Sequence, residues 1–203
     1  MTKIMTPSKK TTTAGQLDKA VAIYRALLEK HSGEFDIEAV QTVLGQSEFA
    51  GEQFAVFRRC VEMMSNLIIR RVKVDRSRSP QAMVDATGRK QYIDSKVAAA
   101  MPHGEGADTE VVFFKLGRYI SDNDLDKEYE LRGLRPVDPY SLMQANADDL
   151  ALADEHPNGT HWKNADGKWC CATFHRWDDE RYVNVNRFDD DWNDYWWFAG
   201  LRK

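Results

Sequence analysis

Apolar residues in the first third of the chain recur at spacings of three and four, the period of helices with one buried face. One such face is formed by Leu17, Val21, Tyr24, Leu27 and Leu28. Asp36 is a suitable N-cap for a second, short helix that Gly45 ends, and Ser47 opens a longer third helix. Residues 1–15 are rich in Thr, Ser and Lys and predict a disordered tail. The sequence therefore predicts a helical segment over residues 16–67.

The period changes after Asn66. LIIRRVKVDR is β-branched and roughly alternating, which favours a strand. Residues 79–100 predict one or two short helices around Gly88, and residues 102–110 form a glycine-containing acidic loop. The continuous apolar run VVFFKL, residues 111–116, is typical of a buried strand.

The rest of the chain predicts two helices and then strands. Ser121 caps a helix that stops at Gly133, and Asp138 followed by Pro139 starts another. From Asn158 onward turns alternate with strands, and an Asp-Gly pair at 166–167 predicts a two-residue hairpin. These segments predict an antiparallel meander with strands at 161–163, 168–176, 181–188 and 195–201.

Composition excludes several classes of protein. The 203 residues are 42% hydrophobic and 30% charged, and the formal charge of −4 gives no general attraction to nucleic acid or anionic membranes. No apolar run is long enough to span a bilayer and no signal-peptide core is present, so a cytoplasmic location is predicted. Cys60, Cys170 and Cys171 form no CxxC pair and are odd in number, so neither a disulfide framework nor a zinc site is expected. No cofactor is predicted.

The order of strand, two helices and antiparallel strands resembles the C-type-lectin fold, in which the first and last strands pair. The resemblance implies that residues 111–116 pair with residues 196–201. It implies an α+β protein in which N-terminal helices precede a C-type-lectin-like domain over residues 68–203, with its core from about residue 110.

Three stretches resemble the variable proteins of diversity-generating retroelements. They are GLRPVDPYSL at 133–142, the HW strand start at 161–162, and the DWND-aromatic-FAGLRK ending, and the resemblance covers roughly residues 72–203. Mutagenesis in such systems acts on adenines, so Asn codons and their products mark diversified positions. The resemblance implies a ligand-binding display protein, not an enzyme, whose partner is a protein or other macromolecule. The implied ligand-binding residues are Tyr182, Asn184, Asn186, Phe188, Asp189, Asp190, Asp191, Asn193, Asp194 and Tyr195.

Strand alternation divides this ending into two sets of residues. Val183 and Val185 point to one side and Tyr182, Asn184 and Asn186 to the other. A row of Tyr and Asn offers flat aromatic area with adaptable hydrogen bonding, as antibody paratopes do. Alternation alone is equally typical of the solvated face of a sheet. Five tryptophans are predicted to be mainly scaffold: Trp169, Trp177, Trp192, Trp196 and Trp197.

Two alternatives come from relatives of the same fold. Residues 192–194 match the WND triplet of calcium-dependent sugar-binding lectins, but His156-Pro157-Asn158 stands where those lectins have Glu-Pro-Asn, so no metal site is predicted. Formylglycine-generating enzymes use a pair of cysteines, whereas Cys170 and Cys171 are adjacent and point to opposite faces. His156, His161 and His175 belong to no catalytic motif.

A third alternative is a nucleic-acid role for the basic cluster at residues 70–78. Lysine and arginine supply the sequence-independent part of nucleic-acid affinity. The cluster consists of Arg70, Arg71, Lys73, Arg76 and Arg78. The acidic chain and the absence of an RNA-binding signature disfavour this role, and pairing with surface carboxylates is expected instead.

Overall fold

The computed structural model describes residues 12–63 and 67–203. The chain divides into two compact units, Met1–Met64 and Ser65–Lys203. Most of the predicted tail lies outside the described residues. Across the described residues, no helix has both the length and the apolar character needed to cross a membrane.

The first unit is helical, as predicted. It contains α1 (Ala14–Lys30), a 3-10 turn (Ser32–Glu34), α2 (Ile37–Leu44) and α3 (Phe49–Met63). Thr13 caps α1 by a capping box with Gln16. Of the side chains described in this unit, none is buried. The apolar stripes are present, but these helices do not cover them among themselves.

The second unit combines one eight-stranded sheet with five helices, so the α+β class is confirmed. Its first elements are β1 (Leu67–Lys73), α4 (Pro80–Ala86), β2 (Lys90–Ile93), α5 (Ser95–Ala99), β3 (Asp108–Lys115) and α6 (Asp122–Leu131). The remainder are β4 (Leu134–Pro136), α7 (Pro139–Asp148), α8 (Leu152–Glu155), β5 (Asn158–Lys163), β6 (Trp169–Trp177), β7 (Glu180–Arg187) and β8 (Trp197–Arg202).

The strand order is β1-β3-β8-β5-β6-β7-β2, with β4 also paired to β8. The predicted pairing of residues 111–116 with residues 196–201 is confirmed. The strands β3 and β8 are antiparallel neighbours, with Phe114 opposite Phe198. The last strand leaves the meander and runs parallel to β5. β2 runs parallel to β7 at the edge of the sheet.

Both faces of the central strands are buried, which explains the unbroken apolar run in β3. Val111 and Phe113 point into a large first core that includes side chains of α4, α5, α7 and α8. Val112 and Phe114 point into a smaller second core that includes α6. We call the sheet surface on the side of the second core the α6 face.

Three local predictions were wrong. Lys90–Ile93 is a strand where only helices were expected, and Leu134–Pro136 is a short strand that the sequence did not indicate. The β5–β6 connection is not a two-residue hairpin. Gly167 donates its backbone N–H to Asn164 O at 2.9 Å and has a φ of 72°, which is a turn followed by a left-handed glycine.

Candidate binding cleft

The α6 face becomes less covered towards the end of β6 and over β7 and β2, where its side chains are half-buried or exposed. Antiparallel register places Thr173 opposite Asn184 and His175 opposite Tyr182. Parallel register continues these rows to β2, where Tyr92 aligns with Asn184. Because paired residues point to the same side of a sheet, these side chains form one surface.

This surface is concave. Its cavity has a volume of about 270 Å³ and is lined by Tyr92, His175, Trp177, Tyr182, Asn184 and Asn186, which we call the open cleft. Trp177 is 68% exposed and Tyr92 is 55% exposed. Large aromatic side chains with this exposure in a concavity are typical of binding surfaces, because partner contact removes their apolar area from water.

The rings of the open cleft contact one another. The His175 and Tyr182 rings are stacked, with their centroids 5.3 Å apart, and the Tyr92 ring lies 5.7 Å from that of Tyr182. Trp196 meets His175 edge-on at 6.0 Å. Neighbouring rings restrict each other's rotation, so the cleft presents its aromatic area at a reduced entropic cost of binding.

Two polar atoms of the cleft-lining residues are buried without a partner in the described part of the chain. They are Asn184 Oδ1 and His175 Nδ1. A buried polar atom without a hydrogen bond costs about 1–3 kcal/mol. Burial, with a smaller contribution from the charge of Arg89, lowers the pKa of His175, so its ring is neutral at pH 7. A partner that reached these atoms would supply the missing bonds.

Asn186 has a different role from its neighbours. Its Oδ1 accepts the backbone N–H of Asp94 at 3.1 Å, and its Nδ2 donates to Tyr92 O at 3.0 Å. Both bonds join β7 to β2 and to the start of α5. Asn186 therefore holds the edge strand that carries Tyr92.

The other predicted ligand residues lie beyond β7. Asp189, Asp190 and Asp191 are exposed in the loop after the strand, and Asp194 and Tyr195 are exposed just before β8. Asn193 is half-buried, and its Nδ2 donates to Tyr195 Oη at 3.3 Å. This loop does not line the open cleft, although Tyr195 packs on Trp196, which in turn meets His175.

Phe188 turns inward to a buried tryptophan. Its ring centroid is 4.5 Å from that of Trp192, which is fully buried, and both belong to the second core or its margin. Gly159 permits this packing, because a Cβ there would lie 3.0 Å from the Trp192 ring. Trp192 Nε1 donates to Asp122 Oδ1 at 2.9 Å. The tryptophan of the WND triplet is therefore a core residue.

Asp122 also joins the second core to a buried histidine. Asp122 Oδ1 lies 2.5 Å from His161 Nδ1, and Asp126 Oδ1 lies 3.0 Å from His161 Nε2 as an ion pair without hydrogen-bond geometry. Burial by itself lowers the pKa of His161, but the contacts with the two aspartates outweigh it and raise the pKa above its ordinary value. His161 thus connects β5 to α6 through two aspartates, which favour its protonated form.

The expectation that the five tryptophans are scaffold holds for some of them. Trp192 and Trp197 are buried, and Trp169 and Trp196 are half-buried. Trp177 is the exception. Its position at the end of β6, beside the two-residue turn formed by Asp178 and Asp179 at positive φ, leaves its ring largely in solvent.

Sequence reasoning missed three residues of the open cleft, Tyr92, His175 and Trp177. The last two alternate along β6 with the buried Ala172 and Phe174, a signal that the sequence does carry. Tyr92 had no such signal, because its strand is short, polar and paired with a segment ninety residues away.

The two cysteines considered as a catalytic pair lie on opposite sides of the sheet. Cys170 lies in the first core and Cys171 in the second, and burial raises both thiol pKa values, that of Cys171 to about 12. Both thiols are therefore protonated at neutral pH. Within the two described ranges, no three His, Cys, Asp or Glu side chains are grouped as metal ligands.

Three arginines of the basic cluster contact carboxylates. Arg70 pairs with Asp149 at 3.1 Å, Arg71 with Glu110 at 3.3 Å, and Arg76 with Asp138 at 2.8 Å. Part of the positive charge at residues 70–78 is therefore neutralised within the chain.

The chain was compared with known families and proteins. No family model, curated protein or solved structure matches it. The geometry of the site therefore carries the functional argument.

Proposed function

We propose that this protein is a ligand-binding display protein that binds a protein or other macromolecule at the open cleft and the adjoining loop of residues 189–195. The observation that carries the proposal is the exposed ring of Trp177 beside two buried, unpartnered polar atoms, Asn184 Oδ1 and His175 Nδ1. Exposed aromatic anchors with adaptable amides suit recognition. No covalent chemistry is assigned to them.

A C-type-lectin-like fold for the second unit is part of this proposal. Its support is the element order β3, α6, β4, α7, α8, β5, β6, β7, β8, in which the final strand lies beside β3. In such an arrangement the sheet and the buried ring of Trp192 fix the position of the loop before β8. The exposed residues of that loop can then vary at small cost to the fold; they are Asp189, Asp190, Asp191, Asp194 and Tyr195.

Diversification of this surface by a retroelement is the corresponding genetic proposal. Tyr182 and Asn184 on β7, and the exposed aspartates after it, are residues that adenine-directed mutagenesis produces. The test is the neighbouring DNA: a near-copy of the codons for residues 181–195 beside a reverse-transcriptase gene is expected. Absence of both would remove diversification and leave the binding proposal standing.

The binding proposal is tested by paired photo-crosslinking in the full-length chain. Benzoylphenylalanine replaces Trp177 in one variant and Tyr119 in the other; Tyr119 is 66% exposed and does not line the cleft. In cells of the source organism, a discrete adduct is expected from position 177 and none from position 119. No adduct at 177, or the same adduct at both positions, would contradict the proposal.

A nucleic-acid partner would show itself in the same experiment. An adduct at position 177 that nuclease treatment removes would assign the cleft to nucleic acid. Wild-type protein would then also be retained on heparin resin at low salt, with retention falling steeply as salt rises.

A further inference from the structure

A second pocket opens on the other side of the sheet, at the end of the first core. It lies between α5 and the β5–β6 hairpin, and its volume is about 220 Å³. We call it the hairpin pocket. Its lining residues are Lys96, Val97, Ala100, Trp162, Asn164, Ala165, Asp166, Cys170 and Arg187. None of them lines the open cleft.

The hairpin pocket contains a buried hydrogen-bond donor that has no acceptor. Trp162 is only 9% exposed, and its Nε1 is buried without a partner in either described range. An indole nitrogen can only donate, so it requires an acceptor. Leaving it unpaired costs about 1–3 kcal/mol.

A second donor comes from the hairpin turn. Asn164 Oδ1 accepts the backbone N–H groups of Asp166 at 3.0 Å and Lys168 at 2.9 Å. These two bonds fix the amide so that its Nδ2 remains as a donor. The turn that closes the hairpin therefore also orients one wall of the pocket.

The charged lining residues favour an anion. Lys96 and Arg187 both line the pocket, and neither forms an ion pair with a residue in the described part of the chain. Asp166 is the single carboxylate of the lining. The lining thus has two cations and one carboxylate. Burial raises the pKa of the Cys170 thiol, and Asp94 and Asp189 lie close enough to raise it further.

The remaining walls are apolar. Val97 and Cys170 are buried at the base, and Ala100 and Ala165 lie at the rim. At roughly 30 Å³ for each water of the liquid, the volume corresponds to about seven waters. An inorganic anion would leave the apolar walls in contact with water, whereas a short hydrocarbon chain would cover them.

We propose that the hairpin pocket binds a small organic carboxylate, whose head accepts from Trp162 Nε1 and pairs with Lys96 and Arg187, and whose short chain lies on Val97 and Cys170. This site is independent of the open cleft and of any partner bound there.

The test follows the indole N–H signals of the full-length protein by NMR at constant ionic strength. The chain has six tryptophans, and Trp162→Phe assigns the signal of Trp162. Sodium butyrate is the probe, butyramide its uncharged counterpart, and inorganic phosphate the anion without an apolar chain. Butyrate is expected to shift the Trp162 signal saturably, with millimolar affinity, and the other two probes are not.

Variants of the two cations should fold normally, because Lys96 and Arg187 are exposed. A loss of binding in these variants therefore reports on the pocket and not on unfolding. Lys96→Gln and Arg187→Gln should each weaken butyrate binding about tenfold, the loss expected for one charge-assisted hydrogen bond. Lys168→Gln on the same hairpin, outside the pocket, should leave it unchanged. No saturable shift, equal binding of butyramide or phosphate, or undiminished binding in both charge variants would overturn the proposal.

Discussion

Two parts of the α6 face both carry aromatic rings and a histidine, but one part is much more fully covered than the other. Over β3, β8 and β5, α6 and the loop before β8 bury Trp192 and His161, and Asp122 bonds both Trp192 Nε1 and His161 Nδ1. Over β6, β7 and β2 the rings of Trp177 and Tyr92 are largely exposed, and His175 is half-buried. The comparison shows that aromatic and histidine side chains stabilise the fold where they are covered. Where they are open, they form the surface for which we propose a binding role.

The largest expected difference in the free energy of unfolding is between variants of two tryptophans, Trp192 and Trp177. Trp192→Ala should lower the free energy of unfolding by about 3–5 kcal/mol, because it leaves a cavity in the second core and removes one hydrogen bond to Asp122. Trp177→Ala should change it by less than about 0.5 kcal/mol, because the ring is exposed. Urea unfolding of both variants measures this. Equal losses would show that Trp177 is also structural.

The two histidines should differ next. His161→Gln should cost about 3 kcal/mol, because it removes the cation held between Asp122 and the half-exposed Asp126. His175→Gln, its counterpart in the cleft, should cost less than about 1 kcal/mol, because no described residue bonds its Nδ1. Thermal or urea unfolding at pH 6 compares the pair, and a larger loss at position 175 would reverse the comparison.

Two asparagines of β7, Asn186 and Asn184, should also differ in their contribution to stability, although both line the open cleft. Asn186→Ala should cost about 1–3 kcal/mol, because it breaks two bonds to the edge strand β2. Asn184→Ala should be nearly neutral, because its Oδ1 has no partner to lose among the described residues. The Asp94 amide shares its N–H between Asn186 Oδ1 and Val185 O, and its hydrogen exchange should rise in the first variant only. Matching exchange in both would place Asn184 in the same structural role.

A smaller expected effect is the pH dependence of stability, which should differ in sign between His161 and His175. The contribution of His161, with its raised pKa, is complete below the unfolded value of 6.5 and is lost as pH rises through the folded-state pKa. The pH dependence that His175 causes has the opposite sign, because its pKa is lowered in the folded state. Its contribution to the free energy of unfolding is fully present above pH 6.5 and is lost as pH falls from 6.5 through the folded-state pKa. Imidazole NMR titrations of the folded protein should place His161 above and His175 below 6.5. The reverse order would contradict both assignments.

The sequence predicted the buried parts of the sheet better than the open part of the α6 face. Val183 and Val185 lie in the first core as their alternation indicated, and β3 pairs with β8 as the resemblance to the C-type-lectin fold implied. Phe188 was assigned to the ligand by its residue type, but contact with Trp192 across the loop places it at the second core. Such a contact depends on the tertiary path of residues 188–196, which no local pattern contains.

The open cleft required a pairing that the sequence does not indicate. Tyr92 reaches the cleft because Lys90–Ile93 adds to β7 as a parallel edge strand, and Asn186 holds that strand in place. Four mostly polar residues carry little strand signal by themselves. Tyr182 and Asn184 were identified from alternation, but their neighbours on β2 and β6 could be grouped with them only once the register was known.

The most direct test of the binding role is the affinity for the partner captured at position 177, measured by titration calorimetry with full-length protein. Trp177→Ala should weaken binding at least about tenfold, as expected for a central aromatic anchor. Tyr119→Ala, which removes an equally exposed ring outside the cleft, should leave the affinity unchanged. Equal affinity of wild type and Trp177→Ala, or an equal loss in both variants, would contradict the assignment of the open cleft as the binding surface.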